Sequence, residues 1–222
     1  MKRQNHILFL LMTLLFFKGF ARDKEYPFAS EIRRFNEIDK VNPPPRHAIL
    51  FIGSSSFTMW QDLQNYFPEF KIINRAFGGS TLDDQLRYAR DIVLPYTPRQ
   101  VVIYCGENDL AFSDTITPEI VVQRFIALFN LIRTGLPDTQ ITYISMKPSP
   151  SRWYLAEKFN DANQGIRIFM EYSSNAGFVN IWDDMLNENY IPDTTLFLED
   201  MLHMNEKGYN IWQKAISPEL VD

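Results

Sequence analysis

Four short segments of this chain carry side chains that together can perform acyl transfer: Gly53-Ser54-Ser55-Ser56, Gly78-Gly79-Ser80, Gly106-Glu107-Asn108-Asp109 and Asp200-Met201-Leu202-His203. That chemistry needs a hydroxyl nucleophile, a base to take its proton, a carboxylate to orient the base, and donors for the oxyanion that develops. Residues three apart in a turn lie within about 7 Å at Cα. The Asp200 carboxylate can therefore reach Nδ1–H of His203 and leave Nε2 for a serine. Each segment taken singly has a plainer explanation. A serine run after a strand caps a helix, Gly78-Gly79 makes a turn, Asn108-Asp109 serves a loop, and Asp200 caps a turn with His203 on the surface. Their appearance in order, three at strand ends and one before the last helix, favours a single site. Of the three histidines, His6 lies in the amino-terminal leader and His47 opens the first strand, at the opposite edge of the sheet. His203 remains as the base.

The elements that must position these segments follow from periodicity. Strands are predicted at 47–52, 71–77, 100–104, 140–146 and 178–182, and helices at 56–66, 81–94, 118–134, 152–173 and 206–216. Leu82, Leu86, Ala89 and Val93 step by four, three and four, as do Leu155, Phe159, Ala162 and Ile166, so each set lines one helix face. Thr117 before Pro118 is an N-cap and first-turn pair, and Gly135 followed by Pro137 closes that helix. Val101-Val102-Ile103-Tyr104 is continuously apolar, as befits a parallel strand covered on both faces. The alternation implies an α/β three-layer sandwich around a five-stranded parallel sheet. With a flavodoxin-like strand order of 2-1-3-4-5, the loops after the first three strands converge at the carboxyl edge, where ligands bind.

Three spans are expected: 1–21 as a signal peptide, 22–46 as a leading helix (29–40) and proline-rich linker through Pro43-Pro44-Pro45, and 47–222 as the catalytic domain. Lys2 and Arg3, the apolar run Ile7 to Phe17, and small residues at Gly19 and Ala21 make the export signal. The alternative is a retained anchor, against which Lys18 interrupts a run already short for a bilayer. The mature chain would hold no membrane span and would be periplasmic or secreted. Cleavage removes three cations and no acid, taking the net charge from −5 to −8, a balance that disfavours nucleic acid as partner. The one cysteine, Cys105, has no internal disulfide partner and reads as a core residue. With three histidines beside it, donors for a His/Cys zinc site are lacking. No metal or cofactor is expected.

The four segments resemble the four signature blocks of the SGNH hydrolases, also called GDSL esterases and lipases, in the same order. The resemblance runs across residues 47–216, and its most specific part is the Asp-x-x-His block before Gly208-Tyr209. It implies that Ser55 is the nucleophile, Asp200 and His203 complete a triad, and Ser55, Gly79 and Asn108 form the oxyanion hole. The chain departs from the usual Gly-Asp-Ser block in carrying Ser54, a Gly-Ser-Ser-Ser variant that bears on substrate subclass. There is no Gly-x-Ser-x-Gly elbow, which argues against the α/β-hydrolase family.

The implied function is an exported serine esterase acting on a small acylated substrate, with short acyl groups on carbohydrate favoured. Lysophospholipase or thioesterase activity is the near alternative, and a non-catalytic envelope- or carbohydrate-binding module the alternative of another class. The segment after the fourth strand, Lys147-Pro148-Ser149-Pro150-Ser151-Arg152-Trp153, should border the site, making Lys147, Arg152 and Trp153 candidate substrate contacts. The same segment is equally a proline-stiffened loop capping the next helix. The long connection from Asp183 to Glu199 is a candidate pocket wall.

Overall fold

The computed structural model describes residues 25–222; the expected signal peptide, 1–21, lies outside them. The strands are β1 (Ile49–Gly53), β2 (Ile72–Asn74), β3 (Gln100–Tyr104), β4 (Gln140–Ile144) and β5 (Ala176–Val179). All pair in parallel in the order β2-β1-β3-β4-β5. The chain leaves β1 outward to β2 and then returns across it to β3. The carboxyl ends of β1 and β3 thus flank the point where strand order reverses, the crevice that open parallel sheets use for ligands.

Among the described residues the helices are α1 (Ala29–Val41), α2 (Ser55–Thr58), α3 (Leu63–Tyr66), α4 (Leu82–Ile92), α5 (Glu107–Ala111), α6 (Pro118–Gly135), α7 (Ala156–Glu171) and α8 (Glu206–Ile216). The sheet divides the apolar interior in two, because alternate strand residues point to opposite faces. Leu50, Ile52, Val101 and Ile103 join the core made with α1, α4, α6 and α7. Ile49, Phe51, Val102 and Tyr104 join the one made with α2, α3 and α8. None of the described helices is long and apolar enough to cross a membrane. α1 is docked rather than free: Ile32 is buried, Asp39 pairs with Arg75 and Tyr96, and Tyr88 Oη donates to Pro27 O at 2.7 Å.

Local chemistry accounts for the helix starts. Thr81 and Asp84 form a reciprocal capping box at α4, and Thr117 accepts from Ile120 N at α6, satisfying amide protons that have no partner within the helix. The elements differ from expectation in several places: β2 is only Ile72–Asn74 where 71–77 is predicted, and β4 ends at Ile144 rather than at 146. The helix predicted at 56–66 is two single turns, α2 and α3, because the chain between them turns Trp60 into an aromatic cluster with Tyr66, Phe67 and Tyr209. The helix predicted from 152 starts as a 3-10 turn, Pro150–Leu155, in which Arg152 is non-helical, and α7 begins at Ala156. β5 lies two residues earlier, since the register with β4 pairs Ile141 with Ala176, and small Ala176 and Gly177 give no apolar signal. After Val179 the chain leaves the ladder, and Ile181 N donates to Ser145 Oγ at 3.0 Å. α5 was not expected at all.

Candidate active site

The turn after β1 presents Ser55. Gly53 has φ +141, and a Cβ there would lie 1.9 Å from Tyr104 O, so only glycine lets β1 run this close to β3. Ser54 N donates to that same carbonyl at 3.1 Å. Ser54 then caps α2, its Oγ accepting from Ser55 N at 2.6 Å. The chain reverses from strand to helix within two residues and leaves Ser55 Oγ facing His203.

His203 Nε2 lies 2.9 Å from Ser55 Oγ, and Nδ1 lies 2.5 Å from Asp200 Oδ2. With Nδ1–H donating to the ionised carboxylate, Nε2 is the acceptor for the serine hydroxyl. Asp200 Oδ1 accepts from the backbone N–H of Leu202 and of His203, each at 2.9 Å. Burial works against the Asp200 carboxylate, but the His203 side chain and these amides outweigh it and lower its pKa to about 2. The segment is braced on both sides. His203 O accepts from Leu198 N at 2.8 Å, and Asn205 caps α8 while donating to Thr195 O and Phe197 O. Gly208 lets α8 approach the backbone, since a Cβ would meet Leu196 O at 2.7 Å. One residue on, Tyr209 Oη donates to Ser56 O at 2.9 Å, tying α8 to the serine turn.

The other two loops are laced together. Ser80 N donates to Phe77 O at 3.4 Å, with Gly79 at φ +82 inside the turn, a conformation that favours glycine. Ser80 Oγ donates to Gly53 O, and Gln85 Nε2 donates to both Gly53 O and Ser80 Oγ. Asn108 is buried at 4% exposure. Its Nδ2 donates to Ser80 O at 2.9 Å and reaches Ser54 Oγ at a longer 3.3 Å. Asp109 Oδ2 accepts from Leu82 N at 2.9 Å and Oδ1 from Arg124 at 2.7 Å, fastening this loop to α4 and α6. Burial raises the Asp109 pKa, against the pull of those donors. The Cys105 thiol, buried and pushed up by desolvation, donates to Ser80 O at 3.6 Å.

Beneath the site lies a charged cluster. Lys147 is 1% exposed, and its Nζ lies 3.1 Å from both Glu107 oxygens, 3.2 Å from Tyr104 Oη and 3.4 Å from Ser56 Oγ. Arg152 donates to Glu107 Oε2 at 3.2 Å and to Asn108 Oδ1 at 2.9 Å. Burial alone would raise the Glu107 pKa; Lys147, Arg152 and the Tyr104 hydroxyl overcome it and hold the carboxyl below its ordinary value. Burial lowers Lys147, with Glu107 pulling it back.

Ser55, Asp200, His203 and Asn108 are therefore brought together at the carboxyl edge, with Gly79 in the adjoining turn. The three candidate substrate contacts fare differently. Lys147 has its ammonium enclosed by protein, paired with Glu107 of the turn after β3. Arg152 is also turned inward, with 14% of its side chain exposed. Trp153 packs its ring 5.9 Å from that of Trp182. A groove of about 720 Å³ runs beside α7 and β5, lined among others by Gln164, Arg167 and Phe178. It includes neither Ser55 nor His203, so convergence of side chains, not cavity size, identifies the site. Glu107, Ser80 and Gln85 were missed as contributors. The only signal for Glu107 is an acid three residues beyond the end of an apolar strand.

The profile of the GDSL-like Lipase/Acylhydrolase family matches residues 52–211. No curated protein matches the chain. Among solved structures, a GDSL-like lipase from Bacteroides thetaiotaomicron superposes with a TM-score of 0.73 at 20% identity, covering 85% of this chain and 96% of that one. A catalytic mutant of an acetylxylan esterase from Geobacillus stearothermophilus gives 0.61 at 17% identity, covering 79% and 94%. At such identities these two likenesses speak for the fold.

Proposed function

The chain belongs to the GDSL-like lipase/acylhydrolase family and is a carboxylic-ester hydrolase; on that premise we propose that Ser55 is its nucleophile, His203 its general base and Asp200 the group that orients the base. The observation that carries this reading is the continuous run from Asp200 Oδ2 to His203 Nδ1 at 2.5 Å and from Nε2 to Ser55 Oγ at 2.9 Å. As Oγ attacks the ester carbonyl carbon, Nε2 takes the hydroxyl proton, and the Asp200 carboxylate stabilises the imidazolium. The carbonyl oxygen becomes an oxyanion, bonded by the backbone N–H of Gly79, by Asn108 Nδ2 and by the backbone N–H of Ser55, which exchanges its 2.6 Å bond to Ser54 Oγ for the charged acceptor. One Nδ2 hydrogen is committed to Ser80 O. The other makes only the 3.3 Å contact with Ser54 Oγ and is the one the oxyanion takes. Collapse breaks the ester C–O bond and the imidazolium protonates the departing alcohol. Water, deprotonated by His203, then attacks the acyl-enzyme, releasing the carboxylic acid and restoring Ser55.

We favour short acyl groups, on carbohydrate, as the substrate. Support comes from the connection after β5, in which Met185, Leu196 and Phe197 are buried in one of the two cores and the exposed residues are mixed, Asp183, Asp184, Glu188 and Asn189 together with Tyr190, Ile191 and Leu198. Such a wall supplies no hydrocarbon tunnel, because each polar group buried along an acyl chain needs a partner. The structural likeness to an acetylxylan esterase is consistent with that preference. The leader motif at Lys2, Arg3 and 7–21 supports export, to be checked by the amino-terminal sequence of the secreted product. The activity is tested by labelling with a fluorophosphonate probe and mapping the adduct. Labelling at Ser55, lost in Ser55→Ala and retained in Ser56→Ala, is the expected result; an adduct on Ser54 or Ser56 overturns the assignment.

A further inference from the structure

We propose that Arg152 is a positioning residue that fixes the orientation of the Asn108 amide, itself held by Glu107; the inference rests on the reading of Asn108 as an oxyanion donor. The two ends of an asparagine amide are nearly the same size, so only its partners decide which end faces the reacting centre. Here Oδ1 accepts from Arg152 Nη2 at 2.9 Å while Nδ2 donates to Ser80 O at 2.9 Å. In the flipped amide the NH2 would meet a guanidinium, donor against donor, and Oδ1 would meet both the Ser80 carbonyl and the developing oxyanion, acceptor against acceptor. Ser80 O secures one hydrogen. Arg152 secures the oxygen, which holds the amide plane and keeps the second hydrogen directed toward Ser54 Oγ and the carboxyl edge.

Arg152 is suited to this by its surroundings. Its other terminal nitrogen, Nη1, donates to Glu107 Oε2 at 3.2 Å, so the planar fork is held at two points. Glu107 is shared with buried Lys147, leaving two cations around one carboxylate. The surplus positive charge lies directly behind Asn108, where it polarises the amide and strengthens Nδ2–H as a donor. The turn carrying Arg152 also reaches the base: Ser151 N donates to Met201 O at 3.0 Å, inside the Asp200–His203 segment. The Arg152 side chain touches neither Ser55 nor His203 among the hydrogen bonds of the site; of the groups it bonds, Asn108 is the one proposed to meet the reacting atoms.

A kinetic double-mutant cycle on the mature enzyme with p-nitrophenyl acetate tests this. Asn108→Ala should lower kcat about 10²- to 10³-fold. Arg152→Ala should lower kcat roughly 10-fold or more, with KM within about twofold, because the interaction it supports is made in the transition state. The double variant should be no slower than Asn108→Ala alone, since an amide that is absent cannot be misoriented. Arg152→Lys, which keeps a cation for Glu107 but not the fork, should fall between wild type and Arg152→Ala, and carries the cycle if the alanine variant does not fold. Multiplicative losses in the double variant, or a rise in KM at unchanged kcat, overturn the proposal by making Arg152 an independent or substrate-binding group. If Asn108→Ala leaves kcat intact, the oxyanion reading itself fails; a slow Asn108→Ala with multiplicative Arg152 effects removes only the present inference.

Discussion

Glu107→Gln and Lys147→Met both break the same buried ion pair, yet the structure predicts unequal damage. In Glu107→Gln, Lys147 and Arg152 share one neutral amide oxygen in place of the carboxylate, the NH2 end adds a donor facing them, and Lys147 otherwise has only the hydroxyls of Tyr104 and Ser56. Removing one side of a buried pair costs about 3–5 kcal/mol, because the other charge is left without compensation. In Lys147→Met, Glu107 retains Arg152 at 3.2 Å, the Tyr104 hydroxyl and the residue 147 backbone N–H at 3.2 Å, and methionine fills the volume of the lysine stem. That loss should be about 1–2 kcal/mol, the range of one or two hydrogen bonds. Urea unfolding at pH 7, followed by tryptophan fluorescence, reads both, and the two variants should differ by roughly 2 kcal/mol. The sign with pH follows from the lowered Glu107 pKa. Its contribution is present above the ordinary carboxylate pKa of the unfolded chain and is lost as pH falls through the folded value. Because the ammonium is enclosed, KM in Lys147→Met should stay within about twofold of wild type. Equal losses of stability would refute the reasoning about Arg152 as a second partner. A large rise in KM with stability unchanged would return Lys147 to the substrate side.

His203→Ala should lose roughly 10² to 10⁴ in kcat, while His47→Ala, at an exposed position on the amino edge, should leave kcat as it is; steady-state kinetics of both variants decides the assignment. Gly53→Ala should destabilise the protein by about 3 kcal/mol and slow turnover as well, since β1 and β3 must part to admit a methyl group otherwise 1.9 Å from Tyr104 O; a thermal melt matching wild type would contradict the close-approach argument. Across p-nitrophenyl esters, kcat/KM should peak between acetate and butyrate, as methylenes beyond a shallow pocket gain none of the roughly 0.8 kcal/mol that burial gives; an optimum at octanoate would instead favour the lysophospholipase reading.

Sequence alone determined what depends on near neighbours. The apolar run 101–104 announced a strand covered on both faces, the stepping of Leu82, Leu86, Ala89 and Val93 announced a helix face, and Thr117-Pro118 announced a helix start, because each signal is set by bonds and packing within a few residues. The grouping of Ser55, Asn108, Asp200 and His203 was legible for a related reason: a parallel sheet delivers every strand-end loop to one edge, so strand order stands in for the missing distances. Tertiary structure decided the rest. Trp60 broke a predicted helix because Tyr209, far along the chain, offered it a stacking partner. The charge of Lys147 was settled by Glu107, 40 residues earlier, and the direction of Arg152 by Glu107 and Asn108, 45 and 44 residues earlier. A lone lysine or arginine in a loop carries no local mark of burial. Whether it meets solvent or an acid depends on what the fold places under it, since the desolvation penalty of burying the charge is offset only where a partner is already in position.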